Sequence, residues 1–346
     1  MWKYHHSALL SFLCPWLLLF HQPVVAQEPG GVILQYHHVD STTPVVTSIS
    51  TEHFQQHLDY LADNNFQVWS LQQFAYALRD KTEIPDKVIS ITFDDAYANV
   101  YDNAWPLLRQ HNFPSTLFVT TELVGNRSYL SWDQLREMKA LGVTIANHSH
   151  SHPHMLRRAE VESEDQWLAR IRWEINKAQE LLQANLGDIP KLFAFPYGEY
   201  DLQVLELVES LGYIGFGQQS GAAGYTSSLL TLPRFPLSGN YSDFETFKIK
   251  SMTLPMPLSA SVIDPVLTEK NLPPALVLNF LHDDYSFHAL ACYGPGGITH
   301  LQQQSPTTFV ATSKTALSEG LSRYNCTMPV AGSNRFYWFS QLWILQ

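Results

Sequence analysis

Cysteine is scarce in this 346-residue chain: there are three, and only Cys292 and Cys326 lie beyond residue 26. Charge is scarce as well, at 15% of residues against roughly 25% in an average globular protein. No run of about five Lys or Arg occurs, and the formal net charge is −11. A nucleic-acid partner is therefore excluded, because neutralising phosphates takes a basic face. Past residue 26 no segment approaches the run of about 18 apolar residues that a membrane helix needs. Apolar material is nonetheless plentiful. A hydrophobic share of 45%, with sixteen Tyr, nineteen Phe and nine Trp, excludes a disordered chain and supplies a large core.

Lys3 precedes an uncharged run from Ala8 to Phe20, and Val24-Val25-Ala26 places small residues before Gln27. This pattern predicts a secretory signal peptide over residues 1–26. The mature chain is then expected outside the cytoplasm, periplasmic or secreted and free of the membrane. Its two remaining cysteines, Cys292 and Cys326, most simply form one disulfide in that oxidising setting.

Short apolar segments alternate with amphipathic ones from residue 27 to about 250. Val32–Tyr36, Gln67–Trp69, Val88–Phe93, Ser115–Thr120, Val143–Ala146, Lys191–Phe195 and Tyr213–Phe216 read as buried parallel strands. Phe54, Leu58 and Leu61 line one helical face, as do Leu168, Ile171, Ile175, Ala178 and Leu182. Val204, Leu207, Val208 and Leu211 line a third. Ser70-x-x-Gln73 and Ser131-x-x-Gln134 have the form of capping boxes. About seven β/α units in series predict a barrel-like α/β domain over 27–250. Prolines at 255, 257, 265, 273 and 274 mark residues 251–274 as a linker. Residues 275–346, rich in β-formers and turns, are expected to form a small β domain stapled by Cys292–Cys326. Its aromatics, Tyr324, Phe336, Tyr337, Trp338, Phe339 and Trp343, suit either a sandwich core or a sugar-stacking face.

Chemistry concentrates where strands end. Ile91-Thr92-Phe93 runs into Asp94 and Asp95, and in a parallel α/β barrel the carboxyl ends of strands form the active face. Two adjacent carboxylates there can divide labour between metal ligand and base, or can simply cap the next helix. A second apolar strand runs into Asn147-His148-Ser149-His150-Ser151-His152-Pro153-His154. His148 and His152, four apart in a turn, can face one point, and two His with one carboxylate make a common open zinc shell.

These motifs resemble the polysaccharide deacetylases with a NodB-homology domain, carbohydrate esterase family four. Thr92-Phe93-Asp94-Asp95-Ala96-Tyr97 is similar to their first motif except at Ala96, which replaces a glycine, and His148-Ser149-His150-Ser151-His152 matches the second. Phe195-Pro196-Tyr197-Gly198 resembles the third, with Ala194 where the family usually has Arg. The likeness covers about residues 31–250 and implies a deformed (β/α) barrel. It further implies Asp94 as general base, and Asp95, His148 and His152 as ligands of a divalent metal, zinc first. It gives the Tyr197 backbone N–H to the oxyanion. Arg234, in Leu232-Pro233-Arg234-Phe235-Pro236, would replace the missing arginine in orienting the base. Gln35-Tyr36-His37-His38-Val39-Asp40 is similar to the opening of deacetylases of exported poly-N-acetylglucosamine, making His37 the expected general acid, with His282 the alternative. Ala96 in place of glycine suggests a turn that does not need positive φ. The function this implies is hydrolysis of the acetamide of N-acetylated sugars in a polysaccharide substrate. Cleavage of O-acetyl esters and non-catalytic polysaccharide binding are the rivals.

Overall fold

The computed structural model describes residues 1–2, 28–260, 262–267 and 272–345. The expected signal peptide lies almost wholly outside the described residues. Among the described residues no helix is long and apolar enough to cross a membrane.

The centre of the barrel is a run of parallel strands: β1 (Gly30–Tyr36), β2 (Val88–Phe93), β3 (Ser115–Val119), β4 (Thr144–Asn147), β5 (Leu192–Ala194) and β6 (Ile214–Phe216), adjacent in that order. An antiparallel strand, β7 (Ala222–Gly224), lies on the free side of β1, and Gln67–Val68 pairs with β2. Helices α1 (Thr51–Asp63), α2 (Leu71–Asp80), α3 (Trp105–Gln110), α4 (Trp132–Ala140), α5 (Glu164–Leu186) and α6 (Leu202–Ser210) connect the strands. Strands β1 to β6 are almost wholly buried on both faces, hence their continuous apolar runs, whereas Gln67–Val68, expected to be buried, is exposed at Gln67 and half-buried at Val68. Val32, Leu34 and Tyr36 pack outward with Phe54, Leu58 and Leu61 of α1, whereas Ile33 clusters with Phe118 and Phe216. The capping box predicted at Ser131 and Gln134 is complete, and a second, Ser163 with Gln166, opens α5.

The sheet curls without closing by regular strands. The segment Leu232–Pro236 spans the gap: Leu232 bridges to Phe216, and Phe235 and Pro236 pair with Leu34 and Gln35. Arg234 sits in the middle of this closing segment and is fully buried.

Helix α7 (Phe244–Ser251) leads into the C-terminal β unit. The proline-punctuated stretch contributes two short strands, Leu254–Pro255 and Val266–Leu267, which pair with the last strand, Phe336–Leu345. Pro255 is tolerated because its strand is an edge. Phe336–Leu345 pairs with Gly320–Pro329, followed by Ala291–Gly294 and Gly297–Ile298. A separate three-stranded sheet joins Ala275–Asn279, Thr308–Thr312 and His300–Gln303. Cys292 and Cys326 face each other across neighbouring strands and are disulfide-bonded, closing a sequence separation of 34 residues. A loop of that size is worth about 3–4 kcal/mol on the chain-entropy model. Tyr324, Tyr337 and Trp343 are core side chains, and Trp338 packs edge-on against Phe235 of the barrel.

One buried histidine ties α1 and α7 to the site. His57 accepts a hydrogen bond at Nδ1 from the Tyr36 hydroxyl (3.0 Å), donates from Nε2 to the Ser242 carbonyl (3.2 Å) and stacks on Phe247 at 3.7 Å. The Tyr36 carbonyl in turn accepts from the Asp94 N–H (3.0 Å). Burial lowers the His57 pKa to about 3. Unfolded His57 therefore binds a proton below about pH 6.5 that the folded form refuses down to about pH 3, so stability drops as pH falls through that window. The share of this one group is at most about 1.4 kcal/mol per pH unit. Denaturant titrations at pH 7, 5.5 and 4 are expected to show a shallower acid decline in His57→Gln than in the native chain. Equal slopes would remove His57 as a source of the decline.

Candidate active site

At the end of β2 the chain turns sharply, with Asp95 at φ 70° and Ala96 at φ 62°. The turn thus does adopt positive φ at Ala96, contrary to the expectation drawn from the absent glycine. Ala96 is buried against Leu130 and Val100, and this packing holds the conformation despite its cost of about 1–2 kcal/mol for an L-residue.

Asp94 is completely buried and its carboxylate is gripped three times. Arg234 donates Nη1 to Oδ1 (2.7 Å) and Nη2 to Oδ2 (2.8 Å), and Gln35 donates Nε2 to Oδ2 (2.7 Å). The guanidinium is itself anchored by Nε to the Gly217 carbonyl (2.9 Å) and lies over the Phe118 ring. Burial alone would raise the Asp94 pKa; the charges of Arg234, His148 and His37 and the Arg234 hydrogen bonds bring it instead to about 2. Arg234 thus grips the carboxylate that the family's usual arginine, absent at Ala194, would orient. Ala194 serves the site through its backbone. Its carbonyl accepts from His148 Nδ1 (2.8 Å), which leaves Nε2 as the ring's free lone pair.

Asp95, His148 and His152 converge. Their ligand atoms lie within 4.8 Å of one another, with Asp95 Oδ1 3.4 Å from His148 Nε2 and 3.3 Å from His152 Nε2. The loop reaches this geometry through left-handed residues at Ser149 and His152, and Ser149 Oγ accepts from the His152 N–H. Asp95 Oδ1 and His148 Nε2 are buried without hydrogen-bond partners. Two acceptor atoms aimed at one point, orphaned in a core, fit a cation between them. Burial works against ionised Asp95, but His148, His37 and His152 hold its carboxyl well below the usual range. Burial and the neighbouring His148 lower His152 to about 4, so it is neutral and ready to ligate. His148 is shifted up: the Asp95 and Asp94 carboxylates outweigh its burial.

His37, at the end of β1, is half-buried and near enough for its charge to act on Asp94, Asp95 and His152. His282 is exposed on the C-terminal β unit beside Tyr285. Tyr197 adopts φ 57° in its short 3-10 turn, edge-on to His152 at 4.5 Å and stacked on His154 at 4.0 Å. His154 bonds Glu199 (2.8 Å), and His150 bonds Thr121 (2.9 Å).

Two supporting residues carry only a faint signal in the sequence. Gln35 is one, a lone amide in an apolar strand. Glu174 is the other: it accepts from the His150 and Ser151 N–H groups and from Ser151 Oγ, fixing the histidine loop. Its signal is a carboxylate inside the buried stripe of α5.

Residues 81–215 match the family model for polysaccharide deacetylase. The poly-β-1,6-N-acetyl-D-glucosamine N-deacetylase of Escherichia coli K12 is 27% identical over 263 residues, covering 64% of this chain and 39% of that enzyme. The chain therefore spans about two fifths of the length of that relative. The solved Streptococcus pyogenes deacetylase PplD, in complex with acetate, superposes with a TM-score of 0.56 at 26% identity, covering 62% of this chain and 94% of that one. IcaB from Ammonifex degensii shares the fold with a TM-score of 0.58 at 23% identity, over 66% and 99% of the two chains. Over residues 81–215 the chain is similar to the polysaccharide deacetylases, and its barrel has the fold of these solved deacetylases.

Proposed function

We propose that the chain is an exported, metal-dependent hydrolase that removes acetyl groups from N-acetylated sugars of a polysaccharide, with poly-β-1,6-N-acetylglucosamine the first candidate. The observation that carries this reading is a buried, ionised Asp94 one residue from an Asp-His-His cluster whose orphaned acceptors point at one place. The disulfide and the character of residues 1–26 support export.

Asp95, His148 and His152 would hold the metal, zinc being first choice for a His₂Asp set; when bound, it supplies Lewis acidity and lowers the pKa of water. The protein's own groups supply the rest. Asp94 takes the proton of the attacking water. Its Oδ1 accepts only one hydrogen bond in the structure and so keeps a lone pair for that proton. Arg234 and Gln35 fix the plane of the carboxylate throughout. The Tyr197 N–H donates to the carbonyl oxygen as negative charge develops there. His37 protonates the departing sugar nitrogen, which an amide requires more than an ester does.

Purified mature chain is expected to release acetate from β-1,6-linked N-acetylglucosamine oligomers with zinc and not with chelator. Asp94→Asn is expected to lower the rate by about 10²–10⁴-fold. His37→Ala should damage amide cleavage more than cleavage of an acetyl ester. Release unaffected by chelator or by the Asp94 variant would sink the reading, and an enzyme active on esters alone would move the substrate to O-acetylated glycans.

Arg234→Met strands a buried carboxylate and is expected to cost about 3–5 kcal/mol of folding stability, read from urea denaturation. Arg234→Lys keeps the charge but not the two-pronged fit and should fall between the two. A Met variant within about 1 kcal/mol of the native chain would show that Asp94 does not depend on this partner.

A further inference from the structure

Two residues past His152, at His154, a cleft of about 700 Å³ opens between the barrel and the C-terminal β unit. That is within the range of ligand sites, roughly 300–1,000 Å³. His154, Glu199 and Asp201 line its barrel side, Arg157 and Arg158 also border it, and Leu321 stands on the β-unit side.

A row of rings connects the cleft to the chemistry. His152 meets the edge of Tyr197, Tyr197 lies flat on His154, and His154 is held by Glu199. Leu321, on the cleft wall, is 40% exposed and so open to a ligand, whereas Tyr197 lies outside the lining with one face covered by His154. Aromatic faces suit the C–H face of a sugar ring, carboxylates accept from its hydroxyls, and guanidiniums donate to its oxygens. The mixture of signs along the walls suits a hydroxyl-rich chain of low charge better than a strongly acidic or basic one.

We propose that this cleft is a second sugar subsite, which holds further units of the polymer whose acetamide lies at the metal-ligand cluster. The C-terminal β unit is then part of the substrate-binding surface, because Leu321 and the strand ends Val266 and Ile344 build its far wall. This inference rests on the deacetylase reading for the identity of the polymer.

The test uses the full mature chain, stripped of metal with chelator so that nothing turns over, and calorimetry with β-1,6-linked N-acetylglucosamine dimer and pentamer. The pentamer is expected to bind about tenfold or more tightly than the dimer. Leu321→Arg, at an exposed position that tolerates the larger side chain, should narrow that ratio to about twofold, and Arg157→Ser should narrow it as well. Equal binding of dimer and pentamer by the native chain would overturn the subsite, as would a ratio unchanged in both variants. Acetate release with zinc restored separates the two ideas. Length-dependent binding without release from either oligomer overturns the deacetylase reading and leaves a saccharide-binding cleft. Release without length-dependent binding overturns the cleft alone.

Discussion

The buried pair between Asp94 and Arg234 is the constraint around which the barrel is organised. A carboxylate removed entirely from water costs several kcal/mol unless a partner with good geometry replaces its solvent. Here the partner is a fork of two N–H donors, with a third donor from Gln35, so each carboxylate oxygen is satisfied. The arrangement requires β1, β2 and the segment 232–236 to be brought together at one end of the sheet. Closure of the barrel buries Asp94 and at the same time delivers the guanidinium that keeps it ionised there.

Around this pair the backbone is held in conformations that most residues avoid. Asp95, Ala96, Ser149, His152 and Tyr197 all have positive φ, and none of them is glycine. They persist because neighbouring groups over-determine them: Ala96 is packed into the core, Ser149 takes an N–H bond from the loop, and Tyr197 is clamped between two imidazoles. Five of the nine non-glycine residues with positive φ among the described residues gather at this one face, and such clustering marks where the fold has been shaped for chemistry.

Much of this is legible in the sequence because it is local. Six continuous apolar runs become the parallel strands, and the carboxylate and histidine motifs sit directly at strand ends, where four or five residues decide the geometry. What escapes is non-local or depends on one side chain facing inward. Gln35 looks like an interruption in an apolar strand until it reaches Asp94, 59 residues away. The short strands Leu254–Pro255 and Val266–Leu267 hide among prolines, because their partner is the last strand of the chain. The Ala96 turn defies its sequence for a different reason: composition reports what a residue prefers, and packing decides what it accepts.

The closing segment also sets the order in which the molecule can be completed. During synthesis from the N-terminus, the strands with Asp94 and the convergent histidines emerge well before residue 232, and until then Asp94 lacks the Arg234 guanidinium and β1 lacks its parallel neighbour at residues 235–236. An excised piece limited to residues 81–215, where the family match lies, would omit Gln35, His37 and Arg234 together. The smallest piece of this chain that keeps Gln35, His37 and Arg234 with Asp94 and the histidine cluster is therefore larger than the matched region. It must start before β1 and run past Leu237, whose N–H closes onto the Gln35 carbonyl.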